Sequence, residues 1–163
     1  MFELLKEFAI KSLGQLLPFL VRWYYKPEKL AGKIKIQIRS SGDGVIFDCG
    51  ELPYVRAWLE ITNLSPFPVE FERVYGHFWY GTRLSPFFFL KRFGVESAHD
   101  TEIFLEADLT NAQAEYIKRN KGKMEHKLSV SVSAYVLCKV NNFEIQREVR
   151  TNNARLQNVG GNA

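Results

Sequence analysis

The stretch from Val55 to Val74 most constrains the fold, because two segments of alternating side chains flank a turn that contains two prolines. In the first segment, Val55, Ala57, Leu59 and Ile61 alternate with larger or polar residues. Successive side chains leave a strand on opposite faces, so this two-residue period predicts a half-buried β-strand. The prolines at positions 66 and 68 cannot donate to a sheet ladder, so strand pairing is expected to resume at Val69 or later.

The same period recurs along the chain. Residues 33–39 alternate isoleucines with polar residues, and residues 101–109, 127–140 and 143–151 show similar patterns. Asn141 and Asn142 are expected to form a two-residue hairpin turn, because asparagine tolerates a positive φ. About seven short strands separated by Gly- and Pro-containing turns predict an all-β sandwich.

One short helix interrupts the strands. Residues 111–120 have helical spacing, and Thr110 is a plausible N-cap because its hydroxyl can accept a hydrogen bond from the first turn. The basic residues that follow, over 118–123 and at Lys127, are interpreted as a solvated helix end, since the aromatic residues of a nucleic-acid surface are not interleaved with them. Nucleic acid is therefore not an expected partner, although the net charge is +4.

Residues 1–25 form a predicted amphipathic helix with a wide apolar face. The longest uncharged run, Ser12 to Val21, is ten residues long, whereas a spanning helix needs about 20. No small-residue cleavage site follows, so a cleavable signal peptide is not expected and the protein is predicted to be cytoplasmic and peripheral to a membrane. The residues predicted to dock on a membrane or a partner are Leu13, Leu16, Leu17, Phe19, Leu20, Arg22, Trp23, Tyr24 and Lys26. Packing of this helix on its own domain is the alternative.

A second apolar segment lies within Ser85–Phe93 and lacks the two-residue period. It is either buried, as a strand covered on both faces or as a loop that closes one end of the sandwich, or it is an exposed hydrophobic patch for lipid or protein. The candidate patch consists of Phe87, Phe88, Phe89, Leu90 and Phe93.

Catalytic and metal-binding motifs are not found in the sequence. Cys49 and Cys138 do not define a disulfide framework, and the three histidines are scattered singly. Asp43, Asp48 and Glu51 lie in a turn region, where carboxylates are usually solvated. We therefore expect no enzyme activity, no catalytic residue, no metal site and no cofactor.

The order of features resembles the type-two late embryogenesis abundant family, also called the water-stress-and-hypersensitive-response domain. The resemblance covers residues 33–151 and rests on the strand Val55–Thr62, the turn Asn63–Pro68, the strand Val69–Tyr75 and the closing hairpin; Leu64 stands where the family usually has proline. It implies a seven-stranded, immunoglobulin/fibronectin-III-like sandwich with one helix. It also implies a non-enzymatic role linked with stress protection, with membrane-anchored relatives that look like lipid-binding modules. No ligand residue is carried over.

The predicted organisation is an amphipathic helix over 1–26, a linker over 27–32, the β-sandwich over 33–151 and a flexible tail over 152–163. The leading functional hypothesis is a membrane-associated binding or scaffold module that binds lipid. The alternatives are a subunit of a homo- or hetero-oligomer docked through the helix, and a soluble stress-protective protein.

Overall fold

Alternating burial along the strands explains why this chain forms two facing sheets. The structure is a computed structural model, and it describes residues 17–121, 128–151 and 154–158. Along β3 (Tyr54–Asn63), Val55, Ala57, Leu59 and Ile61 are fully buried, whereas most of the residues between them are partly exposed. The prediction of strand, period and inward face is confirmed for this segment.

The first sheet is organised around β3. Its other strands are β1 (Ile34–Ile38), β2 (Val45–Asp48), β7 (Asp100–Asp108) and β10 (Ala154–Gln157). Strand β7 pairs with β3 over nine residues, Tyr54 to Thr62, so β1 and β2 share the opposite edge. The backbone of Trp58 bridges the gap between them, because its N–H donates to Gly44 O at 3.0 Å and its carbonyl accepts from Arg39 N at 2.9 Å.

The second sheet is organised around β4. Its strands are β4 (Val69–Tyr80), β5 (Thr82–Phe89), β6 (Phe93–Val95), β8 (Leu128–Cys138) and β9 (Phe143–Thr151). Strand β8 pairs with β4 along its whole length, β5 and β6 share the other edge of β4, and β9 pairs with β8. Strand β4 begins at Val69, where the sequence predicted that pairing resumes.

The core lies between the two sheets and consists mainly of aliphatic side chains, with aromatic rings packed among them. The rings of Phe78 and Phe87 are 5.2 Å apart and those of Phe47 and Tyr80 are 5.6 Å apart. This arrangement is an all-β sandwich, as the sequence predicted. Helix α2 (Asn111–Asn120) follows β7 and begins with a capping box between Thr110 and Gln113, which confirms the predicted N-cap.

The structure corrects the predicted linker and tail. Residues 27–31 form a short helix, α1 (Pro27–Ala31), whose Leu30 is fully buried. In the tail, β10 pairs in parallel with β2, and Cys49 N donates to Gln157 O at 3.1 Å. Apart from β10, the described strands occupy seven positions in the two sheets. The reason is that β1 and β2 share one edge of β3, and β5 and β6 share one edge of β4.

The predicted two-residue turn at Asn141 and Asn142 is wrong. Strand β8 ends at Cys138 and β9 begins at Phe143, so four residues form the connection. The side chains of both asparagines form hydrogen bonds instead. Asn142 Oδ1 accepts a hydrogen bond from Cys138 N at 3.2 Å, and Asn141 reaches the N-terminal segment.

Candidate docking surface

The described part of the N-terminal segment exposes the apolar side chains that the sequence predicted for docking. Residues 17–24 are helical, and 66% of the Phe19 surface and 64% of the Trp23 surface are exposed to solvent. The other predicted docking residues that the structure describes are also exposed: Leu17, Leu20, Arg22, Tyr24 and Lys26. Leu13 and Leu16 lie outside the described residues. This part of the helix therefore does not use its apolar face to pack on the sandwich.

The segment is nevertheless fixed to the sandwich at its C-terminal end. The Nδ2 group of Asn141 donates to Arg22 O at 3.1 Å and to Tyr25 O at 2.8 Å. The ring of Tyr25 meets that of Phe67 edge to face, with centroids 5.0 Å apart. Side-chain bonding of this kind satisfies carbonyls at a helix end and fixes its direction. Two loops, β3–β4 and β8–β9, thus hold the helix while its apolar side chains face solvent.

Helix α1 completes the attachment. Pro27 occupies its first turn, where the missing N–H has no helical partner to lose, and Leu30 enters the core. Arg147 Nη2 of β9 donates to Ala31 O at 3.3 Å, and Leu64 N donates to Lys33 O at 2.9 Å. The chain between the exposed helical segment and β1 is therefore anchored by Leu30 and hydrogen-bonded to the sandwich.

Basic side chains surround this attachment. Arg22, Lys26, Lys29 and Lys33 lie within twelve residues of sequence that contain one carboxylate, Glu28. Within the described part of the chain, these four side chains form none of the ion pairs. Lys29 Nζ instead lies 3.2 Å from the centre of the Tyr24 ring.

Lys29 also alters the acidity of Tyr24. A hydrogen bond from Lys29, and then its positive charge, lower the pKa of the exposed Tyr24 hydroxyl from its ordinary value. The shift has this direction because the Lys29 ammonium group stabilises the ionised form of the hydroxyl.

The second predicted patch is divided by the fold. Phe88 and Leu90 are 69% and 74% exposed, whereas Phe87 is 2% exposed and packs in the core. Phe89 and Phe93 are half-buried, and Phe93 stacks on Phe71 with centroids 4.8 Å apart. Only Phe88 and Leu90 of the five predicted residues are thus presented to solvent as a surface.

A bulge explains why the sequence did not resolve this segment. The β4–β5 register shifts between His77 and Trp79, opposite the part of β5 that contains Pro86. The inward side chains of β5 are therefore Leu84 and Phe87, three residues apart rather than two. A bulge inserts one residue and changes the face on which later side chains lie. Phe88 emerges on the outer face, opposite Tyr75 of β4.

A polar groove along β8 is a feature that the sequence analysis did not single out as a site. Its floor contains Ser129, Ser131 and Ser133, and it has a volume of about 660 Å³. Trp79 lies on one side and donates its indole N–H to Ser131 Oγ at 3.3 Å. On the other side Arg150 pairs with Glu148 at 3.1 Å and, with a hydrogen bond from Ser129, lowers the pKa of that carboxylate. These serines occur at every second position of β8, so they lie on the same face of the strand. That spacing is the sequence pattern that indicates this groove.

Hydrogen bonds hold Asp48 of the acidic turn, and both cysteines are free thiols. Asp48 accepts two bonds of 2.9 Å from Asn158 Nδ2 and one of 2.8 Å from Gly50 N, which lower the pKa of its carboxyl group. Burial raises the pKa of the Cys49 thiol, and both cysteines are free.

Among the described residues, no cluster of three or more His, Cys, Asp or Glu could hold a metal ion. In the same part of the chain, every helix is too short or too polar to cross a bilayer.

Comparison with known proteins assigns no family. No protein-family model matches the chain, and no curated protein gives a significant match. Among solved structures, the Northeast Structural Genomics Consortium target SoR45 has a TM-score of 0.49 at 9% identity, with 76% of this chain and 87% of that chain covered.

Two further structures show weaker likeness. The ApaA protein of Bordetella pertussis has a TM-score of 0.44 at 11% identity, with 75% of this chain and 89% of that chain covered. A protein assigned to the late embryogenesis abundant group has a TM-score of 0.35 at 12% identity, with 91% and 88% covered. These TM-scores are below 0.5, so the likenesses assign neither a family nor an activity.

Proposed function

We propose that this protein is a non-enzymatic β-sandwich module that attaches peripherally to an anionic lipid surface through its N-terminal helix. The observation that carries this proposal is the exposure of large apolar side chains on residues 17–24, while the end of the same helix is fixed to the sandwich. Exposed apolar clusters of this kind are typical of interaction surfaces. Bound in this way, the module presents its sheets for binding or scaffolding.

The composition of the surface favours lipid as the occupant. Trp23 and Tyr24 are exposed beside Arg22 and Lys26, which places amphipathic rings next to positive charge. Helices that lie in a membrane interface combine a Trp-, Phe- or Leu-containing face with Lys and Arg beside lipid phosphates. The four basic residues that form none of the ion pairs within the described chain supply charge complementarity to an anionic membrane.

The energy available is sufficient for attachment. Complete burial of a large apolar side chain contributes about 2 kcal/mol. Basic residues close to an anionic surface add about 1 kcal/mol each. Because the helix is already fixed by Asn141 and Tyr25, less conformational entropy is lost on binding than for a free segment.

Vesicle co-sedimentation of the full chain tests this proposal. Vesicles of phosphatidylcholine alone are compared with vesicles that also contain phosphatidylserine. The first variant is Phe19→Ser/Leu20→Ser/Trp23→Ser, which removes the apolar face. The matched control is Phe88→Ser/Leu90→Ser, which removes exposed apolar side chains elsewhere. We expect the unaltered chain and the control to sediment with the anionic vesicles and the helix variant to remain in the supernatant.

Two results would overturn the proposal: failure of the unaltered chain to bind vesicles, or equal binding by the helix variant. Sizing without lipid then separates the alternatives. An oligomer that the helix variant converts to a monomer, together with no vesicle binding, would replace lipid attachment by protein assembly. Full protection of a client enzyme by a helix variant that never binds vesicles would favour the protective role.

We further propose that the sandwich is of the immunoglobulin/fibronectin-III-like type and is related to the type-two late embryogenesis abundant domain. The support is the seven strand positions, the single helix after β7 and the turn at Asn63–Pro68. Homologues that keep Asn63 together with Pro66 and Pro68 would support the relationship. Homologues in which the three positions vary independently would contradict it.

A further inference from the structure

A groove of about 330 Å³ lies where the N-terminal helix joins the sandwich. Its walls come from the end of that helix, α1, the β3–β4 turn and the β6–β7 turn. Its lining includes Tyr24, Lys29, Lys33, Leu64 and Pro66. The groove therefore opens beside the exposed apolar face that the proposed function places on a membrane.

The charge of the groove is positive. Lys29 and Lys33 contribute two ammonium groups, and the lining contains no carboxylate. Neither lysine takes part in an ion pair within residues 17–121, 128–151 and 154–158. Each ammonium group carries three donors and accepts nothing, so the pair can satisfy several oxygens of one anion.

The other lining residues match a ligand with a polar head and an apolar body. Leu64 and Pro66 line the groove and Leu64 is exposed, and Lys29 Nζ lies 3.2 Å from the centre of the Tyr24 ring. Both partners of this contact line the groove, and the contact with the ring restrains the ammonium group. A free inorganic anion would leave the apolar lining residues uncovered, whereas a headgroup attached to a glycerol backbone would cover them.

We propose that this groove binds the phosphomonoester headgroup of an anionic phospholipid, with Lys29 and Lys33 as the two cationic ligands. The inference rests on the proposed function and specifies the lipid class. A phosphomonoester carries a charge of about −1.5 to −2 at neutral pH, because its second pKa is near 6. Two ammonium groups match this charge better than the single charge of a phosphodiester headgroup.

The test compares vesicles that contain phosphatidic acid with vesicles that contain phosphatidylserine at matched surface charge. The full chain is compared with Lys29→Gln/Lys33→Gln and with the control Lys35→Gln/Lys91→Gln, which makes the same change in net charge at exposed positions elsewhere. We expect the unaltered chain to prefer phosphatidic acid by about tenfold. The groove variant should lose this preference and the control should keep it. Thermal unfolding midpoints establish that both variants are folded.

The outcomes separate this inference from the proposed function. Equal binding to both kinds of vesicle, or loss of the preference in the control as well, would overturn the headgroup site while lipid attachment stands. No binding to either vesicle would overturn the proposed function itself. A further arm titrates glycerol 3-phosphate without vesicles. Binding as tight as that to phosphatidic acid vesicles would retain a phosphomonoester site but overturn its assignment to a lipid.

Discussion

The side-chain amide of Asn63 donates to the carbonyl oxygen of Val95 at 3.0 Å inside the protein, which ties the end of β3 to β6, 32 residues further along the chain. The same Nδ2 group donates to Phe67 O at 2.8 Å and lies 3.2 Å from Glu96 O. Its Oδ1 atom accepts from Ser65 N at 2.9 Å. Asn63 is completely buried. Its hydrogen bonds fix the β3–β4 turn, and Tyr25 packs on Phe67 of that turn.

Replacement of Asn63 is the first test of this organisation. Asn63→Ala should lower the free energy of unfolding by about 3 kcal/mol or more, because buried carbonyls and the Ser65 N–H lose their partners. Chemical denaturation measures the effect. Asn111→Ala is the control, since Asn111 is exposed, and it should change stability by less than about 0.5 kcal/mol.

The aspartate variant sharpens the same test. Asn63→Asp keeps an acceptor for Ser65 N but removes the donors and places a carboxylate against the carbonyl oxygens of Phe67 and Val95. It should destabilise the protein at least as much as alanine does at neutral pH. An aspartate variant as stable as the unaltered chain would show that donation by the amide is unimportant.

Local periodicity explains which parts of the fold were predictable. The strand from Val55 to Ile61 was predicted because each inward residue is two positions from the next and is buried. Thr110 was predicted as the N-cap because a capping residue bonds to the first turn of its own helix, and here its partner Gln113 is three residues away. In both cases the residues that determine the structure lie close together in the sequence.

Interactions between distant residues explain the rest. Strand β10 was missed because it forms by parallel pairing with β2, more than one hundred residues earlier in the chain. Helix α1 is too short to have a strong periodic signal and depends on the burial of Leu30. For the candidate surface, the sequence predicted the docking residues of the helix, but whether they are exposed is decided by tertiary packing.

The link between the helix and the β8–β9 loop gives a second prediction. Asn141→Ala removes both side-chain hydrogen bonds to the carbonyls of Arg22 and Tyr25. Because the site is at the surface, global stability should fall by less than about 1 kcal/mol. Exchange of the Tyr25 amide, which donates to Val21 O at 2.9 Å, should become faster. Hydrogen exchange measured by NMR reports this change.

Asn142 is the matched control for this prediction. Its side chain accepts a hydrogen bond from Cys138 N within the same loop, so Asn142→Ala should leave Tyr25 exchange unchanged. Equal acceleration in both variants would mean that the loop as a whole, rather than the Asn141 amide, holds the helix.

The third prediction concerns pH. The bonds from Asn158, and then from Gly50 N–H, hold the pKa of the Asp48 carboxyl group below its usual range. A carboxylate whose pKa is lowered by folding stabilises the protein above its unfolded pKa, about 3.9, and this contribution is lost as pH falls through the folded pKa. Asn158→Gly removes the side chain but suits the positive φ of 51° at this position.

In this variant the pKa of Asp48 should rise toward its ordinary value, and the acid-sensitive part of the stability should decrease. An NMR titration of the Asp48 carboxyl group measures the shift. Arg155→Gln is the control, because it breaks the 2.9 Å ion pair between β10 and Asp43 and leaves the Asn158 contact intact. An unchanged Asp48 pKa in Asn158→Gly would disprove the assigned cause.

The fourth prediction uses two glycines of the second sheet. A Cβ atom at Gly76 would lie 1.8 Å from Ser131 O and 2.9 Å from the Phe87 ring, so β4 and β8 can approach only because the side chain is absent. Gly76→Ala should therefore cost at least about 3 kcal/mol of unfolding free energy. At Gly94 of β6 the nearest atom would be 3.8 Å away, and Gly94→Ala should change stability by less than about 1 kcal/mol. Thermal and chemical unfolding compare the two variants, and similar losses in both would contradict the close approach of β4 and β8.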